Sequence, residues 1–156
     1  MIVFCAFQQI PTVIQYAEKH GFKHYIHLTF CKNYSAQVLK ANMRVVGATE
    51  HALILYREKL PKFNNEGKMV FDWMEWKRDG KEVPKIHPTQ KPVNLLERLI
   101  SIFTDEGDVV IDPCAGSGTT LRAARNLGRN SYGFECNRDF WTKATKQMLA
   151  CEDTLF

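Results

Sequence analysis

The chain has 156 residues, of which 45% are hydrophobic, and a formal net charge of +4 at neutral pH. This length suits one domain with a buried core, and the modest positive charge is compatible with a polyanionic partner without identifying one. The five cysteines lie far apart and form no C-x-x-C pair, which argues against a disulfide framework and a zinc site. No apolar run approaches the roughly 20 residues of a membrane span, and the N-terminus lacks the features of a signal peptide. We therefore expect a soluble cytoplasmic protein that holds no metal ion.

The first third of the chain predicts strands alternating with a helix. The stretch "IVFCAF" is typical of a buried strand, Pro11 suits a helix start, and Gly21 suits the end of that helix. "HYIHLTFCK" and "HALILYR" return to the strand pattern, and the residues between them show no sustained period. The predicted order is strand, helix, strand, loop and strand, at 2–7, 11–22, 24–32, 33–49 and 51–57.

The composition changes between Lys59 and Ile86 to charged residues, Asn, Gly and Pro, with the aromatic cluster "FDWMEW" among them. This predicts an irregular inserted segment, 59–86. Its aromatic side chains Phe71, Trp73 and Trp76 are expected in the core in preference to stacking on bases. Acidic residues are interleaved with the basic ones, so a solvated loop and a loop that contacts phosphates both remain open. The basic residues are Lys77, Arg78, Lys81 and Lys85.

Regular structure is predicted again from Pro92 onwards. A helix with apolar residues on one face leads to the strand "EGDVVID", and a second helix runs from Thr119 to Gly128. The strand "SYGFE" and a helix from about Arg138 to Ala150 complete the pattern. Strands that alternate with helices predict an α/β fold with a mostly parallel sheet.

The turn "VIDPCAGSGTT" joins a predicted strand to a predicted helix. It lacks the lysine of a phosphate loop, and Leu121 occupies the place of the third glycine in the dinucleotide fingerprint. The free N–H groups of a helix start and the nearby hydroxyls of Ser117, Thr119 and Thr120 suit a carboxylate. Glu135 follows Asp112 by 23 positions, about where α/β nucleotide sites place the acid that binds a ribose. The ligand predicted is therefore a ribonucleoside that carries an amino-acid zwitterion.

Three motifs, "HPTQKP" at 87–92, "VIDPCAGSGTT" at 110–120 and "GFECN" at 133–137, resemble the cofactor motifs of the β class of amino DNA methyltransferases. "IVFCAF", "HLTFCKN" and "VVGATEHALILYR" are similar to strands that follow the family's catalytic loop. The resemblance implies methyl transfer from S-adenosylmethionine to the exocyclic amine of adenine or cytosine in DNA, by enzymes of phages or restriction-modification systems. It also implies a Rossmann-like methyltransferase fold in circularly permuted order over residues 1–156.

The resemblance also assigns roles within the cofactor site. Asp112 and the backbone of 114–118 would frame the methionine moiety, Thr119 would reach its carboxylate, and Glu135 would bind the ribose hydroxyls. Cys136 would lie against the adenine, and residues 89–91 would close the pocket. The cofactor-binding residues so predicted are Thr89, Gln90, Lys91, Asp112, Cys114, Ala115, Gly116, Ser117, Gly118, Thr119, Glu135 and Cys136.

Double-stranded DNA is the macromolecular partner that the resemblance implies. In this family a variable segment that reads the target lies where this chain has residues 59–86, which makes that segment the predicted recognition insert. The candidate DNA contacts are basic residues of this segment, with a residue just before "VVGATEH" as an alternative. They are Arg44, Lys77, Arg78 and Lys81.

The family's catalytic loop resembles Asp/Asn/Ser-Pro-Pro-Tyr/Trp/Phe, and no such tetrapeptide occurs in the chain, whose Asp112-Pro113 belongs to the cofactor turn. We therefore assign no catalytic residue and expect a partial methyltransferase domain without its N-terminal strands, in the cytoplasm of a bacterial host. A complementing N-terminal polypeptide or self-association would cover the open sheet edge. The alternatives are a non-catalytic cofactor-binding subunit or regulator, which the missing loop favours for this chain alone, and an unrelated nucleotide-binding domain, which "HPTQKP" argues against.

Overall fold

The structure of the protein is a computed structural model that places residues 1–34, 45–60 and 62–150. The chain forms two compact units, of which the first comprises Met1–Pro61 and Asn65–Lys77 and the second Lys62–Asn64 and Arg78–Phe156. Among the placed residues, no helix is long and apolar enough to cross a membrane.

The first unit is a four-stranded sheet with one helix. Its elements are strand β1 (Ile2–Cys5), helix α1 (Ile10–Lys19) and strands β2 (His24–Lys32), β3 (Thr49–Tyr56) and β4 (Trp73–Trp76). The strand order is β1-β3-β2-β4. Strand β3 runs antiparallel to both β1 and β2, and β4 runs parallel to β2.

The prediction of a mostly parallel sheet is wrong for this unit. Strands β1 and β2 run in the same direction with α1 between them, as predicted, but β3 is inserted between the two strands and pairs antiparallel with each. No crossover helix is predicted between β2 and β3, and strands joined without one pair antiparallel. The apolar run Ala52–Leu55 is buried on both faces, which suits the interior place of β3 in the sheet.

Helix α1 covers one face of this sheet. Its residues Ile10, Val13, Ile14 and Ala17 recur at helical spacing and pack with Leu53 and Leu55 of β3. The helix is followed by Gly21 at φ 81°, as expected of a glycine past a helix end.

The second unit is a parallel pair of strands with helices, as the sequence predicts. Its elements are helix α2 (Val93–Phe103), strand β5 (Val109–Asp112), helix α3 (Thr119–Asn126), strand β6 (Asn130–Gly133) and helix α4 (Arg138–Lys143), followed by a π-helical turn (Ala144–Met148). Strands β5 and β6 pair in parallel, with Ile111 opposite Tyr132. Helix α3 connects them and packs against α2.

The segment 59–86 is more regular than predicted, because it contains β4. Alternation along this strand buries Trp76, which is 5% exposed, and turns Trp73 outward, where it is 54% exposed. Phe71, 57% exposed, stacks on Trp73 with ring centroids 6.2 Å apart. The core assignment is therefore correct for Trp76 and wrong for Trp73 and Phe71.

Candidate cofactor site

The glycine turn between β5 and α3 depends on two left-handed residues. Gly116 has φ 52° and Gly118 has φ 76°, a region that side chains other than glycine rarely adopt. The Gly118 N–H donates to the Ala115 carbonyl at 2.8 Å. A Cβ atom on Gly118 would lie 3.3 Å from Ala144 Cβ in the π-helical turn, so this glycine serves both the bend and the packing behind it.

Two carboxylates hold the turn through backbone N–H groups. Asp112 Oδ1 accepts from Cys114 N–H at 3.0 Å. Glu135 Oε1 accepts from Asn137 N–H at 2.7 Å, and its Oε2 accepts from Gly116 N–H at 2.8 Å. These bonds, that from Asn137 most of all, hold the pKa of Glu135 below its usual value. The Glu135 carboxylate is therefore charged at neutral pH and tied to the turn it faces.

The start of helix α3 presents polar groups of a different kind. Ser117 and Thr119 are 3% and 4% exposed, and their hydroxyl oxygens lie 3.4 Å apart. The first N–H groups of an α-helix have no acceptor four residues earlier, and the helix dipole makes this end favourable for an anion. Hydroxyls and helix N–H groups together suit a carboxylate.

Residues 87–91, which precede helix α2, form another wall. His87 Nδ1 accepts from Thr89 N–H at 3.2 Å and lies 3.0 Å from Thr89 Oγ1. The His87 ring contacts the edge of Phe140 at 4.4 Å between centroids. His87 therefore packs against helix α4.

One cavity of about 280 Å³ is lined by residues from 87–91, from the glycine turn with the start of α3, and by Glu135. Its lining residues are His87, Thr89, Gln90, Lys91, Asp112, Cys114, Ala115, Gly116, Ser117, Thr119, Thr120 and Glu135. The predicted residues are thus brought together, except that Gly118 and Cys136 do not line the cavity. His87 lines it without having been assigned to the site, although its place beside Thr89–Lys91 in "HPTQKP" was a signal for it.

The backbone of the turn is less available than the resemblance implies. The N–H groups of Cys114, Ala115, Gly116 and Gly118 all donate within the unit, to Asp112, Phe134, Glu135 and Ala115. Their role is to shape the turn. A ligand carboxylate at this site would therefore meet the α3 start and its hydroxyls.

Lys77, Arg78 and Lys81 are not among the residues that line the cavity. Lys77 belongs to the first unit, is exposed, and forms an ion pair with Glu75 at 3.2 Å. Arg78 and Lys81 are exposed residues of the second unit, and Arg44 lies outside the described residues. In the part of the chain that the structure places, no group of three or more His, Cys, Asp or Glu could hold a metal ion.

Comparison with known proteins identifies the family. The model of the DNA methylase family N6_N4_Mtase matches residues 1–146, and the chain belongs to this family of S-adenosylmethionine-dependent DNA amino-methyltransferases. The family and cofactor predictions are thereby confirmed. The chain is 41% identical over 102 residues to the type II methyltransferase M2.DpnII of Streptococcus pneumoniae, covering 64% of this chain and 38% of that protein.

Two further similarities extend over nearly the whole chain. The putative methylase YubD of Escherichia coli K12 is 33% identical over 150 residues, covering 96% of this chain and 61% of that one. The crystal structure of an M1.HpyAVI–SAM complex superposes with a TM-score of 0.78 at 30% identity, over 96% of this chain and 74% of that one. The α/β, Rossmann-like fold is thereby confirmed. The chain spans 38% of the length of M2.DpnII and 61% of the length of YubD.

Proposed function

We propose that this chain supplies the cofactor-binding and target-reading parts of a DNA amino-methyltransferase that uses S-adenosylmethionine. The observation that carries the proposal is the convergence of 87–91, 112–120 and Glu135 on one cavity. These segments are separate in the sequence, and each matches a motif of the family. Their meeting at the strand ends of a parallel β-α-β unit is the usual place for a nucleotide-like ligand.

The cavity suits the proposed cofactor in both size and chemistry. A volume of about 280 Å³ is close to the lower end of the roughly 300–1,000 Å³ of small-molecule sites. Glu135 would accept hydrogen bonds from the ribose hydroxyls, and Ser117, Thr119 and the α3 start would bind the amino-acid carboxylate. S-adenosylmethionine, when bound, supplies an electrophilic methyl group on its sulfonium sulfur.

Calorimetry with S-adenosylhomocysteine, the demethylated product, tests the cofactor site. Glu135→Ala should weaken binding by about 1.5–3 kcal/mol, because a charged acceptor is lost. Glu106→Ala is the matched control, since Glu106 is an exposed carboxylate of the same unit outside the cavity lining. Equal affinities of the unmodified chain and Glu135→Ala would contradict the site.

We further propose that 59–86 faces DNA. The segment presents the stacked pair Phe71 and Trp73 at its surface, and exposed aromatic rings bind unpaired bases by stacking. Exposed basic residues follow the pair in sequence, and such residues neutralise phosphates. They are Lys77, Arg78 and Lys81.

Salt dependence of DNA binding measures the phosphate contacts. Replacing these three basic residues together by glutamine should reduce the slope of log K against log salt by up to about 0.9 for each phosphate that is no longer neutralised. Three other exposed lysines provide a control of equal charge change, namely Lys19, Lys23 and Lys143. An equal reduction of the slope in both triple variants would show that only the net charge of the protein matters. It would contradict the proposal that segment 59–86 faces DNA.

Methyl transfer by this chain alone is not expected, because an Asp-Pro-Pro-Tyr-like tetrapeptide is absent from its 156 residues. In the family this loop orients the target amine and stacks on the extruded base. Among the described residues, β5 pairs only with β6 and β1 only with β3, so each has an edge that can accept a further strand. We propose that a strand bearing the catalytic loop, from another segment or polypeptide, pairs with the open edge of β5.

A tritiated-methyl transfer assay on unmethylated DNA decides this point. The 156-residue chain should be inactive, and activity should appear when the loop-bearing N-terminal part of a full-length relative is added in trans. Transfer by the chain alone would mean that another residue performs the loop's role. Cofactor and DNA binding without transfer in either condition would favour the alternative, a non-catalytic subunit or regulator.

A further inference from the structure

Helix α2 begins without a capping side chain of its own, because its N-cap is Pro92. Its first N–H group, that of Val93, instead donates to both oxygens of Asp79, at 2.9 and 3.1 Å. A carboxylate at this position also complements the helix dipole. Burial raises the pKa of Asp79, while the bonds from the Val93 and Asn94 backbones oppose that rise. Asp79, which belongs to the segment 59–86, thus caps helix α2.

Gln90 makes a second attachment, to residues that lie between Asp79 and the start of α2. Its Oε1 accepts from Ile86 N–H at 2.9 Å and from His87 N–H at 3.4 Å, and its Nε2 donates to the Pro84 carbonyl at 3.0 Å. The functional groups of the side chain are therefore directed at 84–87. Gln90, which also lines the cavity, thus holds the loop that precedes it.

The Asp79 bond closes a loop, 79–93, at the first residue of α2, and the Gln90 bonds tie the middle of this loop, 84–87, to the residues just before the helix. Thr89 and Lys91 within it line the cofactor cavity. Lys81 and Lys85 within it are exposed basic residues. We infer that Asp79 and Gln90 are positioning residues which make cofactor binding and DNA binding mutually dependent through loop 79–93.

The coupling follows from the cost of ordering a loop. A ligand that contacts Thr89 and Lys91 restricts the motion of the whole loop. The reason is that the Val93–Asp79 and Ile86–Gln90 bonds tie the segments of the loop to one another. DNA that then contacts Lys81 has less conformational entropy to remove, which tightens its binding. By linkage, DNA must tighten cofactor binding by the same factor. This inference rests on the function proposed above and adds the route by which its two ligands communicate.

The test measures DNA affinity of the full chain with and without saturating S-adenosylhomocysteine. In the unmodified chain the product should tighten DNA binding about fivefold or more, a typical coupling. Asp79→Ala should reduce this ratio to within about twofold, and Asp79→Asn, which keeps one acceptor oxygen, should restore part of it. Glu82→Ala is the matched control, because it removes the same charge from the same loop without touching α2, and its ratio should equal that of the unmodified chain.

Hydrogen exchange gives an independent readout, since S-adenosylhomocysteine alone should slow exchange of the Ile86 and Val93 amides. No slowing, or a ratio near one in the unmodified chain that binds both ligands, overturns the inference and leaves the proposed function standing. Failure to bind S-adenosylhomocysteine refutes the proposed cofactor site itself, and failure to bind DNA refutes the DNA role together with the inference. If Asp79→Ala does not fold, Asp79→Asn decides, and an undiminished ratio in that variant counts against the inference.

Discussion

The glycine turn and the segment around β4 use their side chains in opposite ways. In the turn, Asp112 and Glu135 direct their oxygens at nearby backbone N–H groups, and the shape of the cavity follows from these bonds. Around β4, Phe71 and Trp73 expose more than half of their surface and contact each other. The first region uses its polar groups to fix its own geometry, and the second leaves apolar surface available. This contrast fits a site for a small ligand and a surface for a large one.

The largest expected effect is a loss of protein stability when the buried tryptophan of β4 is removed. Trp76→Ala should destabilise the protein by about 3–5 kcal/mol, because a buried indole that contacts Phe30 is removed. Trp73→Ala, three residues earlier in the same strand, should change stability by about 0.5 kcal/mol or less. Chemical denaturation measures both. Comparable destabilisation in the two variants would mean that Trp73 is covered in solution and that little apolar surface is available around β4.

A smaller effect is expected where strand β6 ends beside the turn. Gly133→Ala would place a Cβ 2.7 Å from Leu121 Cδ1 and 3.0 Å from Ala115 Cβ. We expect the protein to be destabilised by about 1–3 kcal/mol by this overpacking, with weaker binding of S-adenosylhomocysteine because Ala115 lines the cavity. Gly47→Ala is the control, since its Cβ would meet nothing within 4 Å. A Gly133→Ala variant as stable as Gly47→Ala would show that the turn tolerates displacement.

The smallest expected effect is on protein stability at acidic pH. The folded-state pKa of Glu135 lies below its ordinary value of 4.5, so its contribution to stability is present above that pH and is lost as the pH falls through the folded-state pKa. Glu135→Gln should therefore flatten the pH dependence of the denaturation midpoint below about pH 4.5, while leaving the neutral side of the curve parallel to that of the unmodified chain. The same slope in both proteins would mean that the bonds from Asn137 and Gly116 do not persist in solution.

Much of the site could be predicted from sequence because its constraints are local. A glycine is required where φ is positive, a strand must end where the turn starts, and an acid after the next strand faces that turn in any parallel β-α-β unit. The residues 112–119 and Glu135 satisfy these conditions within one short stretch of chain. Their assembly around a cavity therefore followed the motif.

The parts that sequence did not predict depend on distant partners. The position of β3 between β1 and β2 is set by pairing on both of its edges, which no period in its own sequence encodes. Strand β4 has four residues and is stabilised by pairing with β2, so its propensity alone was too weak to reveal it. The direction of the Gln90 side chain likewise depends on 84–87, and the motif specified only its presence.

The bonds of Glu135 have a further consequence, which comes from counting lone pairs. A carboxylate offers about four acceptor positions, and the N–H groups of Gly116 and Asn137 each take one, on different oxygens. The Cys136 thiol also bonds to this carboxylate, and once that weak donor is displaced one position remains on each oxygen for the two hydroxyls of a ribose. The proposed cofactor would leave both backbone bonds in place, so exchanging spent product for fresh cofactor would leave the fold of the turn unchanged.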